Sequence, residues 1–112
     1  MNNEQENILK LIIDYSNKIN SNALNLTRCT ILALTSHIKD GLQYRELKAL
    51  LNISDGKLQS NLDVLSELGY INKVKVKVDK NELTIYMITE NGQNELKKII
   101  YWFNIINKIW EK

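Results

Sequence analysis

The side chains in this sequence that are best suited to chemistry are those that bind nucleic acids. Lysines alternate with valines over the segment 73–78, and the segment 54–61 carries lysine, glutamine, serine and asparagine side chains. Lysine ammonium groups neutralise phosphates, and amide and hydroxyl groups form hydrogen bonds with base edges. A helix that contains 54–61, together with a two-stranded ribbon that contains 73–78, would therefore be suited to binding double-stranded DNA.

The sequence lacks the patterns that are typical of catalysis or metal binding. It has no glycine-rich phosphate loop, and its single cysteine, Cys29, excludes an intramolecular disulfide and a multi-cysteine zinc cluster. The acidic pair Asp79 and Glu82 flanks a turn and is more typical of a solvated surface than of acid–base chemistry. We therefore predict no enzymatic activity, no cofactor and no metal site. We expect structural or surface roles for His37 and Cys29, with a redox role for Cys29 left open.

Composition and charge distribution favour a single soluble domain with one basic segment. The 112 residues are 44% apolar and 25% charged, as is ordinary for a globular protein. The formal net charge is only +2, but the segment 70–80 carries four lysines against one aspartate. The N-terminal residues lack the features of a signal peptide, and polar residues interrupt the apolar run 99–109. We expect no membrane insertion and a cytoplasmic, nucleoid-associated protein.

Apolar residues at helical spacing predict helices over about 4–20, 26–39, 45–51 and 54–68, with an extended piece over 42–44. Ser54 is a suitable N-cap for the fourth helix, and Gly69 is suited to end that helix in the left-handed conformation. The side chains expected to face the core in the middle helices are Ile31, Leu32, Thr35, Ile38, Leu47, Leu50, Leu51, Leu58, Leu62, Leu65 and Leu68.

The period of the pattern changes to two over 70–78, which predicts a strand. Residues 79–82 supply turn chemistry, and 83–88 return as the partner strand. Thr89 is expected to cap a last helix that reaches almost to the end of the chain. That helix carries a coiled-coil-like seam at Leu96, Ile99, Phe103, Ile106 and Trp110.

Three short motifs point to a known family. Asp55-Gly56 opens the predicted fourth helix, Leu68-Gly69-Tyr70-Ile71 leads into the ribbon, and Thr89-Glu90-Asn91-Gly92 follows it. Together with the helix pattern over about 24–100, they resemble the winged helix-turn-helix transcriptional regulators, most closely the small prokaryotic or archaeal group related to the MarR and ArsR repressors.

The resemblance implies a mainly α fold with a small β-hairpin wing (α+β class), with N- and C-terminal dimerisation helices. We expect one winged-helix domain over 1–112, with an N-terminal helix in 1–22, a winged helix-turn-helix core in 24–89 and a C-terminal helix in 89–112. By the same resemblance, the protein is expected to be a homodimer that binds pseudo-palindromic promoter DNA as a transcriptional regulator.

The expected DNA contacts combine base reading by the fourth helix with phosphate contacts from the wing and from two arginines. Gly56 has no side chain and would allow a close approach of the backbone to DNA. The residues predicted to bind DNA are Arg28, Arg45, Ser54, Gly56, Lys57, Gln59, Ser60, Asn61, Lys73, Lys75, Lys77 and Lys80.

One departure from the family pattern leaves an alternative open. The fourth helix carries Asp55, Asp63 and Glu67 against Lys57 alone, and acidic side chains there repel phosphate unless they face away or accept from cytosine. The lysines of the ribbon are also consistent with the protection of an edge strand. The alternative functions are therefore a winged-helix protein-interaction module or a nonspecific architectural chromatin protein.

The first and last helices carry more apolar surface than one small domain covers, which predicts dimerisation through them. Antiparallel packing of the last helices of two chains would place their fourth helices, which are expected to read the bases, roughly 34 Å apart, one DNA turn. The predicted interface residues are Ile8, Leu11, Ile12, Tyr15, Ile99, Trp102, Phe103, Ile106 and Trp110. A crevice for a small-molecule effector near Tyr15, Trp102 and Phe103 is conceivable, but no residue set specifies a ligand.

Overall fold

The structure, a computed structural model, describes residues 1–111, so only Lys112 of the predicted 89–112 segment lies outside the described residues. Five helices and three short strands occur over this range. In chain order they are α1 (Asn3–Lys18), α2 (Leu26–His37), β1 (Leu42–Gln43), α3 (Tyr44–Leu51), α4 (Asp55–Glu67), β2 (Ile71–Val78), β3 (Asn81–Ile88) and α5 (Glu90–Trp110).

Side-chain caps fix where the helices begin. Asn25, Ser54 and Thr89 each accept a hydrogen bond from a backbone N–H of the first turn of α2, α4 and α5, as N-cap residues do. Asn52 ends α3 and Gly69 follows α4, both with positive φ, which turns the chain sharply on each side of α4. The predicted caps at Ser54 and Thr89 and the predicted stop at Gly69 are confirmed.

The wing is an antiparallel hairpin of β2 and β3, and β1 pairs with the other edge of β3. The turn between β2 and β3 consists of Asp79 and Lys80 alone, and Asp79 adopts the positive φ that short hairpin turns require. Asn81 and Glu82 therefore pair with the end of β2 instead of forming part of the turn. The predicted hairpin is confirmed, with a partner strand that begins two residues earlier than expected.

The core lies between α2, α3, α4 and the base of the wing. It contains Ile31, Leu32, Leu42, Leu47, Leu58, Leu62, Leu65, Ile71 and Tyr86. Two predicted core residues are instead exposed, Ile38 at 40% and Leu50 at 61%. Ile38 lies beyond the last residue of α2, in extended backbone. Leu50 lies on the solvent side of α3, whose completely buried residue is Leu47.

The termini form an arm that projects from this core. We define the arm as α1 together with residues 99–110 of α5; α1 packs along α5 and contains no fully buried residue. The molecule is accordingly elongated, with extents of 66 × 25 × 22 Å. The mainly α winged-helix fold with terminal helices outside the core agrees with the prediction.

A buried carboxylate joins the arm to the core. Glu95 of α5 accepts a hydrogen bond from the backbone N–H of Asn20 at 2.9 Å and another from the hydroxyl of Tyr70 at 3.1 Å. The ammonium group of Lys98 lies 3.5 Å from the same carboxylate. Because Asn20 follows α1 and Tyr70 precedes β2, these contacts connect the exit of the arm to the entrance of the wing.

Candidate nucleic-acid interface

The helix α4 presents one polar face to solvent at its N-terminal end. Its buried face is formed by Leu58, Leu62 and Leu65, which fixes the orientation of the helix on the core. Lys57, Gln59, Ser60 and Asp63 are exposed on the opposite side. A Cβ atom added at Gly56 would meet no atom within 4 Å, so Gly56 lies at the open surface of α4.

The acidic residue that opens α4 is paired within the protein. The Lys48 ammonium group lies 2.8 Å from one carboxylate oxygen of Asp55, and the Tyr44 hydroxyl donates to the other at 2.9 Å. The hydrogen bonds from Lys48 and from Tyr44 lower the pKa of Asp55. The negative charge of Asp55 is therefore partly compensated by α3, which reduces its repulsion of an approaching phosphate.

A second acidic residue of α4 is engaged by its own helix. The Gln59 side-chain amide donates to the carboxylate of Asp63 at 2.8 Å, one turn further along. Both side chains are exposed. This contact uses one of the two N–H donors of the Gln59 amide and leaves the charge of Asp63 in place.

The lysines of β2 lie on one face of the wing. In the pairing of β2 with β3, Lys73 is opposite Tyr86, Lys75 is opposite Thr84 and Lys77 is opposite Glu82. All three lysines are exposed, and Lys75 lies 3.5 Å from Glu82 in a solvent-accessible ion pair. Surface pairs of this kind contribute little free energy, so the lysines remain available to phosphates. Lys80 is exposed in the turn.

The polar face of α4 and the base of the wing meet in one shallow hollow of about 240 Å³. Its lining residues are Tyr44, Gln59, Lys73, Thr84 and Tyr86. Burial raises the pKa of Tyr86, and the nearby charge of Asp63 acts in the same direction. The fold thus brings Gln59 of α4 and Lys73 of β2, fourteen positions apart in sequence, to the same surface.

Two of the predicted DNA contacts, the half-buried Arg28 and the buried Asn61, bind each other. Asn61 is 7% exposed, and its side-chain oxygen accepts a hydrogen bond from Nε of Arg28 at 3.0 Å. A terminal nitrogen of Arg28 also donates to the carbonyl oxygen of Asn22 at 2.6 Å. The expectation that Asn61 reads bases is therefore corrected, since a buried side chain does not reach a groove. Arg45, by contrast, is exposed in the first turn of α3.

The predicted interface residues divide into exposed and buried groups. Leu11, Phe103 and Trp110 are exposed, whereas Ile8, Ile12, Tyr15, Trp102 and Ile106 are half-buried between α1 and α5. Ile99 is only 3% exposed and belongs to the interior of one chain, which corrects its assignment to an interface. Sequence reasoning omitted four further residues that expose large apolar side chains on the arm: Leu9, Ile13, Ile100 and Tyr101.

Aromatic contacts occupy the place where an effector crevice was considered. The ring of Tyr15 packs on Tyr101 with centroids 4.6 Å apart, and Trp102 meets Phe103 at 5.2 Å. The indole N–H of Trp102 is buried without a hydrogen-bond partner among the described residues. Tyr15 and Trp102 thus pack against different aromatic neighbours.

The single cysteine and the single histidine both lie on α2. Cys29 is half-buried in α2, and burial raises the pKa of its thiol, which lowers its thiolate fraction. His37 is exposed at the last position of α2. Within residues 1–111, no three histidine, cysteine or acidic side chains are arranged to hold a metal ion. No helix in that part of the chain is both long and apolar enough to cross a bilayer.

Comparison with solved structures shows the same fold in transcriptional regulators. A transcriptional regulator homologue from Pyrococcus horikoshii superposes with a TM-score of 0.76 at 21% identity, covering 95% of this chain and 99% of that chain. The adhesin competence repressor of Streptococcus pyogenes gives a TM-score of 0.61 at 21% identity, covering 97% of this chain and 80% of that chain.

Sequence comparison assigns the family. An uncharacterized protein of Methanocaldococcus jannaschii is 36% identical over 80 residues, which are 69% of this chain and 83% of the relative. The winged helix DNA-binding domain model matches residues 27–106, which include α2 to β3 and most of α5. The chain therefore belongs to the winged helix DNA-binding domain family.

Proposed function

We propose that this protein is a homodimeric, sequence-specific regulator of transcription that inserts α4 into the major groove and places the wing on the flanking backbone. The observation that carries the proposal is the shared hollow at which Gln59 of α4 and Lys73 of β2 meet. One surface thus combines side chains suited to base edges with side chains suited to phosphates. The residues proposed to contact DNA are Arg45, Ser54, Gly56, Lys57, Gln59, Ser60, Lys73, Lys75, Lys77 and Lys80.

The charge pairing at the start of α4 supports this orientation. Lys48 compensates Asp55, whereas Asp63 accepts a hydrogen bond from the neutral amide of Gln59 and keeps its charge. The wing adds lysines on the same side as Thr84 and Tyr86 of the hollow. Counterion release from phosphates at these lysines would supply affinity, while α4 would supply sequence preference.

The arm supports assembly as a dimer. Ile13, Phe103 and Trp110 expose 59%, 54% and 86% of their surfaces, and they lie outside the core of the single chain. Large apolar side chains that cluster on one projecting element are typical of interfaces. A two-fold axis through the two arms would present two α4 helices to one face of DNA.

Selection of bound sequences from a pool of random duplexes tests sequence preference directly. The wing is tested by the double variant Lys75→Ala, Lys77→Ala, titrated on the selected duplex from about 50 to 200 mM salt. If each lysine neutralises one phosphate, the slope of log K against log salt should shrink by about 1.8, and affinity at low salt should fall roughly ten- to hundredfold.

The double variant Lys10→Ala, Lys97→Ala is the matched control, because it removes the same charge from exposed positions of α1 and α5. It should leave the slope nearly unchanged. An equal loss of slope in both variants would mean that net charge, not the wing, contributes the affinity. If the selection enriches no sequence while binding persists, the protein is instead a nonspecific architectural protein. If the protein does not bind DNA at all, the alternative function as a winged-helix protein-interaction module applies.

Substitution of Gly56 separates stability from DNA affinity. Gly56→Ala should raise the free energy of unfolding by about 0.4–1 kcal/mol, since alanine has less conformational freedom than glycine in the unfolded chain and the added Cβ meets no protein atom. The same methyl group should lower affinity for the selected duplex about tenfold if the backbone of α4 approaches DNA closely at this point. Chemical denaturation and duplex titration measure the two effects; unchanged affinity would place Gly56 outside the contact.

A further inference from the structure

We infer that Arg28 and Asn61 are positioning residues that set the rotation and the axial position of α4, and that Arg28 does not act as a phosphate contact. This inference rests on the proposed function, because the position of α4 matters only if α4 reads DNA. It concerns a pair of side chains that join α4 to the start of α2, 33 residues away in the chain.

Asn61 is the one polar residue on the buried face of α4, which otherwise consists of Leu58, Leu62 and Leu65. Its oxygen accepts from Nε of Arg28 at 3.0 Å, and its amide nitrogen donates to the carbonyl oxygen of Lys57 at 2.8 Å. A buried polar side chain with these partners costs little when paired and is destabilising when its partner is removed.

The guanidinium of Arg28 bridges α4 to a fixed part of the chain. One terminal nitrogen donates to the carbonyl oxygen of Asn22 at 2.6 Å, while Nε donates to Asn61. The neighbouring Asn25 caps α2 and lies 3.4 Å from the oxygen of Asn61 through its own amide. Asn61 is therefore held against the loop and the first turn that precede the main body of α2.

The two kinds of contact differ in what they determine. Leucine packing is favourable but non-directional, so it tolerates small rotations and slides of α4 on the core. Hydrogen bonds from a planar guanidinium require a narrow range of distance and angle. A single buried asparagine can fix helix register in this way, and the Arg28–Asn61 pair would do the same for the base-reading face.

Four variants test the inference on the duplex found by selection: Arg28→Lys, Arg28→Ala, Asn61→Ala and the double variant Arg28→Lys, Asn61→Ala. For each, affinity is measured for the selected duplex and for an unrelated duplex across a range of salt. Lysine keeps the charge of Arg28 but lacks the planar donors that reach Asn61 and Asn22.

We expect each single variant to lower the ratio of specific to nonspecific affinity about tenfold. The double variant should lose less than the product of the two single losses, since both changes remove the Arg28–Asn61 hydrogen bond. The salt slope of Arg28→Ala should equal that of the parent. Partial unfolding alone would lower both affinities together and leave their ratio unchanged, which separates positioning from a purely structural role.

Arg45→Ala is the contrasting variant, because Arg45 is exposed at the start of α3. As a phosphate contact, its loss should reduce the slope by about 0.9 and leave the specificity ratio intact. The inference is overturned if Arg28→Ala behaves like Arg45→Ala, if Arg28→Lys keeps the parent's ratio, or if the losses from the single variants multiply in the double variant. A parent protein that enriches no sequence would overturn the proposed function, and with it this inference, before any variant is made.

Discussion

Replacing Ile13 and Phe103 by lysine should convert the proposed dimer into monomers and lower affinity for a two-half-site operator by roughly 10²- to 10⁴-fold. Both side chains are more than half exposed in the single chain, so their replacement leaves the core in place. At a dimer interface the same changes would bury two uncompensated charges per chain, which is costly in an apolar contact. The large loss follows because a monomer engages only one half-site, whereas a dimer gains from the effective concentration of its second reading helix.

The mass in solution should fall from twice 13.0 kDa to 13.0 kDa, while affinity for an isolated half-site stays near the parent value. The variant Asn17→Lys, Asn94→Lys is the matched control, since it adds the same charges at exposed polar positions of α1 and α5. Added lysines attract DNA, so a fall in affinity cannot come from their charge. A dimer that persists in the Ile13, Phe103 variant would show that the arm is not the interface.

Most of the fold could be predicted from the sequence because its determinants are local. Caps such as Ser54 and Thr89, the left-handed Gly69 and the change of period after it each act over a few residues, and each was predicted correctly. Two of the errors arise where a boundary shifts by two residues, whereas the exposure of Leu50 depends on how α3 packs on the core. Ile38 lost its predicted burial because α2 ends at His37, and β3 began early because the turn contains two residues.

The candidate site was predicted less completely, because part of it depends on contacts between distant residues. An asparagine at position 61 of an amphipathic helix has the same local pattern whether it reads DNA or pairs with Arg28. Only the packing of α2 against α4 decides between the two. The arm poses a similar problem: α1 and α5 each carry apolar residues outside a single stripe, so periodicity alone does not reveal that Ile99 is buried while Ile13 and Tyr101 are exposed.

Gly92→Ala should lower the free energy of unfolding strongly, in contrast to Gly56→Ala. A Cβ at Gly92 would lie at an impossible distance from the carbonyl oxygen of Tyr70 and 2.8 Å from a side-chain atom of Ile88. That carbonyl accepts the backbone N–H of Thr89 at 3.0 Å, so α5 and the entrance to the wing would have to separate. Overpacking outweighs the gain in helix propensity, and we expect a loss of about 2–3 kcal/mol.

Thermal and chemical denaturation of the Gly92→Ala variant measure this loss, which corresponds to a fall in Tm of roughly 10 °C or more. Gly56→Ala is the control, since it adds the same atom to a helix at a position where nothing lies within 4 Å and should raise stability instead. Opposite signs would show that the glycine of the Thr-Glu-Asn-Gly motif is required by the contact between α5 and Tyr70, not by flexibility. Equal, stabilising effects of both substitutions would mean that α5 does not approach Tyr70 so closely, and the junction between the arm and the wing would then be looser than described.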